Sequence, residues 1–168
     1  MDLIAGAVGP RAFSASVTAF AEEVGADGPV TVAGGRTAWQ IGGEGDPLAR
    51  VVTAPGGILE LVPAEMVVRV GAGTPIDELD AALAEVGQEV ALCGRRGGTV
   101  GGALAVGWSS LRRPRLGPAR DALLEAALVG ADGRLVRAGG PTVKNVTGYD
   151  LCRLVVGSLG RLALIGEV

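Results

Sequence analysis

Glycine fills 29 of the 168 positions of this chain, about one residue in six where globular proteins use ~7%. No Gly-X-Y period accompanies it, so a collagen-like triple helix is excluded. Many of the glycines cluster in pairs instead, among them Gly34-Gly35, Gly42-Gly43, Gly97-Gly98, Gly101-Gly102 and Gly139-Gly140. The pairs mark loops where backbone comes close to another segment or to a bound group. With 48% apolar residues there is material for a real core. The length suits one compact domain, or two small lobes sharing a core.

Between the glycines the periodicity is legible. Ala12, Phe13, Val17, Phe20, Ala21 and Val24 recur at helical spacing and stop at Gly25, which predicts an amphipathic helix over 12–24. Val30-Thr31-Val32 predicts a strand, and 49–53, 57–62 and 66–70 predict three more, with turns at Pro55-Gly56-Gly57 and Pro63-Ala64. In Thr74-Pro75-Ile76-Asp77-Glu78, a capping hydroxyl, a proline and acids of a first turn stand in order. That helix is expected to run through Leu79, Leu83 and Val86 to Gly87. Residues 88–92 read as a strand, and 122–129 with 134–137 as a hairpin closed by Asp132-Gly133. Asp150 is placed to cap a helix over 151–156, and 162–168 reads as a last strand. The mixture gives an α+β fold, expected as one domain, 1–168, with lobes of about 1–95 and 96–168.

Several function classes fall away. The net charge is −3, the fourteen arginines are dispersed apart from Arg112-Arg113-Pro114-Arg115, and aromatic residues make up 3%. The arginine cluster reads as a solvated loop, and no nucleic-acid partner is expected. Cys93 and Cys152 stand far apart in a chain without histidine, so no metal site is expected. Both read as reduced, buried thiols of a cytoplasmic protein. No apolar run reaches the ~18–20 residues of a membrane span; the best, 154–165, is interrupted by Gly157, Ser158, Gly160 and Arg161. Met1-Asp2 opens without the basic region of a secretory signal.

Three segments offer chemistry. Ala33-Gly34-Gly35-Arg36-Thr37-Ala38 follows a strand, and consecutive glycines there let backbone N–H groups converge on phosphate oxygens, with Arg36 and Thr37 adding a charge and a hydroxyl. In Gly97-Gly98-Thr99-Val100-Gly101-Gly102, Thr99 can cap a helix whose N-terminus faces an anion. Either loop alone is weak evidence, since glycine pairs more often mark ordinary turns; the two together suit a diphosphate-bearing ligand. The third segment is Val143-Lys144-Asn145-Val146-Thr147-Gly148-Tyr149-Asp150, which gathers the sole lysine, asparagine and tyrosine of the chain. A polar surface turn is its plain alternative. The common nucleotide fingerprints are absent. The lysine does not follow a glycine as in a P-loop, and Gly71-Ala72-Gly73-Thr74-Pro75-Ile76 lacks the third glycine of a dinucleotide motif, so it reads as a strand-to-helix turn.

These segments, with Val70-Gly71, Arg112-Arg113-Pro114-Arg115, Gly117, Arg120-Asp121 and Val156-Gly157-Ser158-Leu159-Gly160, occur in one order. Together they resemble the PCMH-type flavoprotein family of p-cresol methylhydroxylase and vanillyl-alcohol oxidase, on the side of its FAD-binding glycolate oxidase subunits, from about residue 12 onward. The resemblance implies FAD lying between two α+β lobes. Gly34, Gly35, Arg36, Thr37 and Ala38 would cradle the pyrophosphate, and Thr99, Gly101 and Gly102 would reach it and the ribityl chain from the second lobe. Arg120 and Asp121 would hold a neighbouring loop near the flavin, and Lys144, Asn145 and Tyr149 would stand by the isoalloxazine. The segment from Gly160 to Ile165 would pass the adenine end. The implied reaction is hydride transfer from a 2-hydroxy acid such as glycolate or lactate to flavin, then onward to other oxidase subunits. A non-catalytic flavin-binding or assembly module of such an oxidase is the alternative.

The chain departs from the family pattern in places. Arg161 and Gly166 stand where relatives carry a small hydroxyl residue, Leu116 replaces an aromatic and Pro118 a small polar residue. Without histidine no histidyl-flavin bond can form, and the spacing of Cys93 does not match a cysteinyl linkage, so FAD is expected to be non-covalent. Family members continue into a cap domain that recognises substrate, expected to be absent here because the sequence stops at Val168. No catalytic residue is assigned, since neither a histidine nor a carboxylate pair offers a general base.

Overall fold

The computed structural model of the protein describes residues 12–90, 92–140 and 149–168. Helix α1 (Ala15–Val24) begins later than the apolar spacing predicts, because Ser14 takes the cap and its hydroxyl accepts the Val17 N–H at 3.2 Å. Val17, Phe20, Ala21 and Val24 form its buried face, and Gly25 ends it by donating to the Ala21 carbonyl at 3.0 Å.

Strands β1 (Val30–Val32) and β2 (Arg50–Val52) pair in parallel. Strands β3 (Ile58–Val62) and β4 (Val67–Val70) form an antiparallel pair across a 3-10 turn at Pro63–Glu65. A third sheet has the order β6-β5-β7, with β5 (Glu125–Val129) antiparallel to both β6 (Leu135–Gly139) and β7 (Leu164–Glu167). Its β5–β6 hairpin closes as expected: Gly133 has φ +72°, and the Asp132 carboxylate accepts the Arg134 N–H at 3.2 Å. Val70 and Val168 exchange both N–H···O bonds, at 2.8 and 2.9 Å, so the end of β4 runs alongside β7.

Helix packing explains one departure from the family pattern. A β-carbon on Gly166 would overlap the Val17 side chain and lie 3.3 Å from the Phe20 ring, so α1 rests directly on β7 backbone there. The buried cluster joins residues from the whole length of the chain: Phe20 and Val24 of α1, Val52, Val70, Leu79, Leu104, Leu128 and Ile165.

Helix α2 (Ile76–Glu85) forms where expected, with Asp77 and Glu78 in its first turn, but Thr74 does not cap it. That fully buried hydroxyl donates to the Gly71 carbonyl at 2.6 Å and accepts the Gly57 N–H at 2.9 Å. Its polarity ties two turns together instead. Helix α3 (Val100–Val106) follows the second glycine loop. The arginine cluster expected as a loop forms a helical turn, α4 (Arg113–Leu116), with Pro114 in its first turn, where a missing N–H is harmless. A second turn, α5 (Ala119–Ala122), takes up the start of the predicted hairpin strand, so β5 begins only at Glu125. Residues 88–90 and 92 form no strand, contrary to expectation. Helix α6 (Leu151–Val155) is capped as predicted, the Asp150 carboxylate accepting the Arg153 N–H at 3.0 Å.

Candidate functional site

The first glycine loop leaves β1 at the point where sheet pairing ends. Ala33 still donates its N–H to the Val52 carbonyl at 2.9 Å. Beyond it, the backbone N–H groups of Gly34, Gly35, Arg36, Thr37 and Ala38 have no acceptor among the described residues. Arg36 adopts φ +54°, a left-handed conformation uncommon outside glycine. Such a residue inside a run of free N–H groups turns neighbouring donors toward one concavity, the geometry that receives anionic oxygens.

The second loop works differently from the sequence expectation. Thr99 does cap α3, its hydroxyl accepting the Gly102 N–H at 3.2 Å. The remaining donors of that helix end are also taken: Val100 donates to the Thr74 carbonyl at 2.9 Å and Gly101 to the Ala72 carbonyl at 2.7 Å. The N–H groups of Val100, Gly101 and Gly102 in the first turn of α3 are therefore all taken within the protein. The acceptors belong to the 71–75 turn, which thus holds the second loop. The same contact explains Gly101: a β-carbon there would lie 2.8 Å from the Ala72 β-carbon and 3.0 Å from its carbonyl oxygen.

The two loops meet. A β-carbon on Gly35 would overlap the Gly97 carbonyl oxygen and lie 2.8 Å from its carbon. One on Gly34 would overlap the Thr99 hydroxyl, and one on Gly98 would sit 3.2 Å from the Thr37 hydroxyl. Arg95 Nη1 donates across the junction to the Thr37 carbonyl at 3.1 Å. Around this junction opens a cleft of about 810 Å³, within the range of small-molecule and cofactor sites. It is lined by residues 34–38, Thr99, Gly101, Gly102, Gly160 and Ile165, so ten of the predicted binding residues share one cavity.

Other predicted residues lie elsewhere. Arg120 and Asp121 are outside the cleft, and Asp121 pairs with Arg153 at 3.1 Å. Tyr149 is 95% exposed and does not line the cleft. Lys144 and Asn145 lie outside the described residues. Arg161, bulky where the family has a small residue, lines the cleft and donates Nη2–H to the Gly42 carbonyl at 3.2 Å. Of the two thiols, Cys152 is buried as expected, but Cys93 is partly exposed.

Sequence reasoning missed the two tryptophans. Trp39 and Trp108 both line the cleft, each with an arginine over its ring: Arg36 on Trp39 and Arg95 on Trp108, both 5.1 Å from the centroid. The signal was available. In a chain with two tryptophans, each follows a glycine loop within ten residues.

The sequence model of the FAD binding domain matches residues 12–139. The chain belongs to the FAD-binding domain family. Over 115 residues it is 39% identical to glycolate oxidase subunit GlcE of Escherichia coli, covering 67% of this chain and 33% of that protein. It is 37% identical over 112 residues to the uncharacterized FAD-linked oxidoreductase Rv2280 of Mycobacterium tuberculosis, covering 66% of this chain and 24% of the relative. It is 40% identical over 96 residues to D-lactate dehydrogenase of Archaeoglobus fulgidus, covering 56% and 22%. The matches thus span a third or less of these curated relatives. The cleft of this FAD-binding domain fits a dinucleotide. Free N–H donors in its wall suit a pyrophosphate, and glycines leave the backbone bare where phosphates must approach.

Proposed function

We propose that the chain is the FAD-holding part of an FAD-dependent oxidoreductase that oxidises a 2-hydroxy acid such as glycolate or lactate, in company with other oxidase subunits. The observation that carries this reading is the run of unpaired N–H groups at 34–38 opening into a cleft shared with the second glycine loop. Support for the substrate class comes from the relatives, a glycolate oxidase subunit and a D-lactate dehydrogenase.

When bound, FAD supplies a hydride acceptor for the substrate carbon and passes the electrons onward. The protein's own residues bind and orient. The N–H groups of 34–38 hold the pyrophosphate, assisted by the Thr37 hydroxyl and the Arg36 charge. Thr99 stands where the loops touch and keeps the second loop in register. The segment from Gly160 to Ile165 passes the far end of the dinucleotide, with the Arg161 bond to Gly42 closing that side. FAD is held without a covalent bond, in keeping with the lack of histidine and the spacing of Cys93 in this sequence. In the finer arrangement the domain is two-lobed and of PCMH type, with the cleft between lobes of about 1–95 and 96–168. The compartment is cytoplasmic, in keeping with two free thiols. No helix among the described residues is long and apolar enough to cross a membrane.

The test has two parts. Purified protein is titrated with FAD while flavin fluorescence is followed, and saturable quenching is expected. The FAD-loaded protein, with its oxidase partners, is then given glycolate or D-lactate without oxygen, and the flavin absorption band is expected to bleach. Protein that takes up no FAD removes the proposal. A flavin band unmoved by any 2-hydroxy acid in the assembled oxidase removes its substrate half.

A further inference from the structure

The run of free donors at 34–38 poses a physical problem. Peptide groups that bond to nothing in the protein have no internal reason to keep one orientation, and ordering them on binding costs free energy. Inside the loop, the Arg36 carbonyl accepts the Trp39 N–H at 3.4 Å, but that turn leaves the Thr37–Ala38 peptide without a backbone partner among the described residues. Among the described residues, one side chain bonds to the backbone of 34–38: Arg95, whose Nη1 donates to the Thr37 carbonyl at 3.1 Å. Arg95 is exposed to solvent, and its guanidinium also lies over the Trp108 ring, 5.1 Å from the centroid, which gives the donor a second hold.

The bond has a directional consequence. The Thr37 carbonyl and the Ala38 N–H belong to one planar peptide unit, trans like the other described peptide bonds. In a trans peptide the N–H points opposite to the C=O, so fixing the oxygen fixes the direction of the hydrogen. Withdrawing electron density from the oxygen also strengthens the N–H as a donor. Ala38 lines the cleft, and its N–H has no acceptor among the described residues.

We infer that Arg95, braced on Trp108, is a positioning residue for the phosphate cradle, holding the Thr37–Ala38 peptide so that the loop is ordered before a dinucleotide arrives. This rests on the reading that the cleft takes FAD. Gly94, Arg95 and Trp108 line the same cleft as 34–38, so the brace is part of the site wall. The role belongs to the guanidinium as a hydrogen-bond donor to backbone, and not to its charge acting on phosphate.

The experiment compares FAD dissociation constants, from flavin fluorescence, for the wild-type protein, Arg95→Ala, Arg95→Lys, Trp108→Leu and the double variant Arg95→Ala/Trp108→Leu. Circular dichroism shows that each is folded, and the Ala38 amide resonance is followed by ¹H–¹⁵N NMR without ligand. Arg95→Ala is expected to weaken FAD about tenfold, and Arg95→Lys, which can still donate to the carbonyl, by no more than about threefold. Trp108→Leu keeps the charge yet loses the brace, so it is expected to weaken binding as well. The double variant then resembles Arg95→Ala alone, because the two side chains act as one unit. The Ala38 amide is expected to shift in both single variants before ligand is added. An unmoved Ala38 resonance, unchanged affinity in Arg95→Ala, or strictly additive losses would each overturn the inference. Failure of the wild-type protein to bind FAD would instead strike the proposed function, so the two are separable.

Discussion

Gly35→Ala puts a single methyl group at the junction of the two glycine loops. Its β-carbon would overlap the Gly97 carbonyl oxygen and lie 2.8 Å from the Gly97 carbon and 3.3 Å from the Gly98 α-carbon. Comfortable carbon–carbon separation is about 3.5–4.0 Å, and the limiting contact, the overlap with the Gly97 oxygen, is shorter still, so the loops must part by more than roughly 1 Å. The obstacle is backbone on backbone, and no side-chain rotation relieves it. An N–H donor set at about 2.9 Å from a phosphate oxygen and displaced by about 1 Å no longer makes a hydrogen bond. Hydrogen bonds to a charged group contribute about 1.5–3 kcal/mol each, so losing two costs about 3–6 kcal/mol. That corresponds to a rise in the FAD dissociation constant of about 10²–10⁴-fold. The fold is expected to survive, because the loops lie on the cleft surface and overpacking costs about 1–3 kcal/mol. Gly56→Ala is the control, since a β-carbon there makes ordinary contact at 3.4 Å with the Gly73 turn. Flavin fluorescence titration of both variants measures the difference, with a urea melt for stability. Wild-type FAD affinity in Gly35→Ala would refute the argument that these loops must touch for the cleft to hold its ligand.

Three further outcomes are expected. Thr99→Val removes the acceptor for the Gly102 N–H and is expected to cost about 1 kcal/mol, read as a lower urea midpoint with an unchanged slope. Glu167→Ala strands Arg69, its partner in a largely buried ion pair; the loss is expected to be about 3 kcal/mol, and a midpoint like that of wild type would show the pair to be energetically idle. Burial first, then the Asp150 and Glu125 carboxylates, push the Cys152 thiol up to about 11. Since the folded value lies above the unfolded one of about 8.5, this contribution to stability is complete below about pH 8.5 and is lost as pH rises toward 11. At pH 8, Ellman's reagent should therefore titrate Cys93 and reach Cys152 only on unfolding, whereas simultaneous reaction of both thiols would count against that environment.

What the sequence revealed and what it hid divide along physical lines. Local rules were legible wherever a signal acts within one turn. Asp150 caps α6, Thr99 caps α3 and Asp132-Gly133 closes the β5–β6 hairpin, because in each case the partner lies within a few residues. Thr74 misled for the opposite reason: its hydroxyl serves Gly57, seventeen positions away, and the local pattern of a cap carries no trace of that tie. The strand expected at 88–92 is absent from its described residues, because a short apolar run does not by itself supply a neighbour to pair with.

At the site, the glycine pairs marked two segments that meet, though Gly101-Gly102 lies in the first turn of α3 and the reason for individual glycines differed from expectation. Gly101 and Gly35 are small because protein backbone passes beside them, at Ala72 and Gly97. A glycine needed for backbone contact and one needed for a ligand leave the same mark in a sequence. Only the pairing of donors separates them: the N–H groups of α3 are consumed within the protein, and those of 34–38 are not. Trp39, Trp108 and Arg95 went unnoticed because each matters through a neighbour brought in by the fold.

A crystal structure of the protein saturated with FAD tests the central claim most directly. The account predicts pyrophosphate oxygens within about 3 Å of at least two of the N–H groups of Gly34, Gly35, Arg36, Thr37 and Ala38. FAD bound with its pyrophosphate elsewhere, leaving those N–H groups facing water, would contradict it.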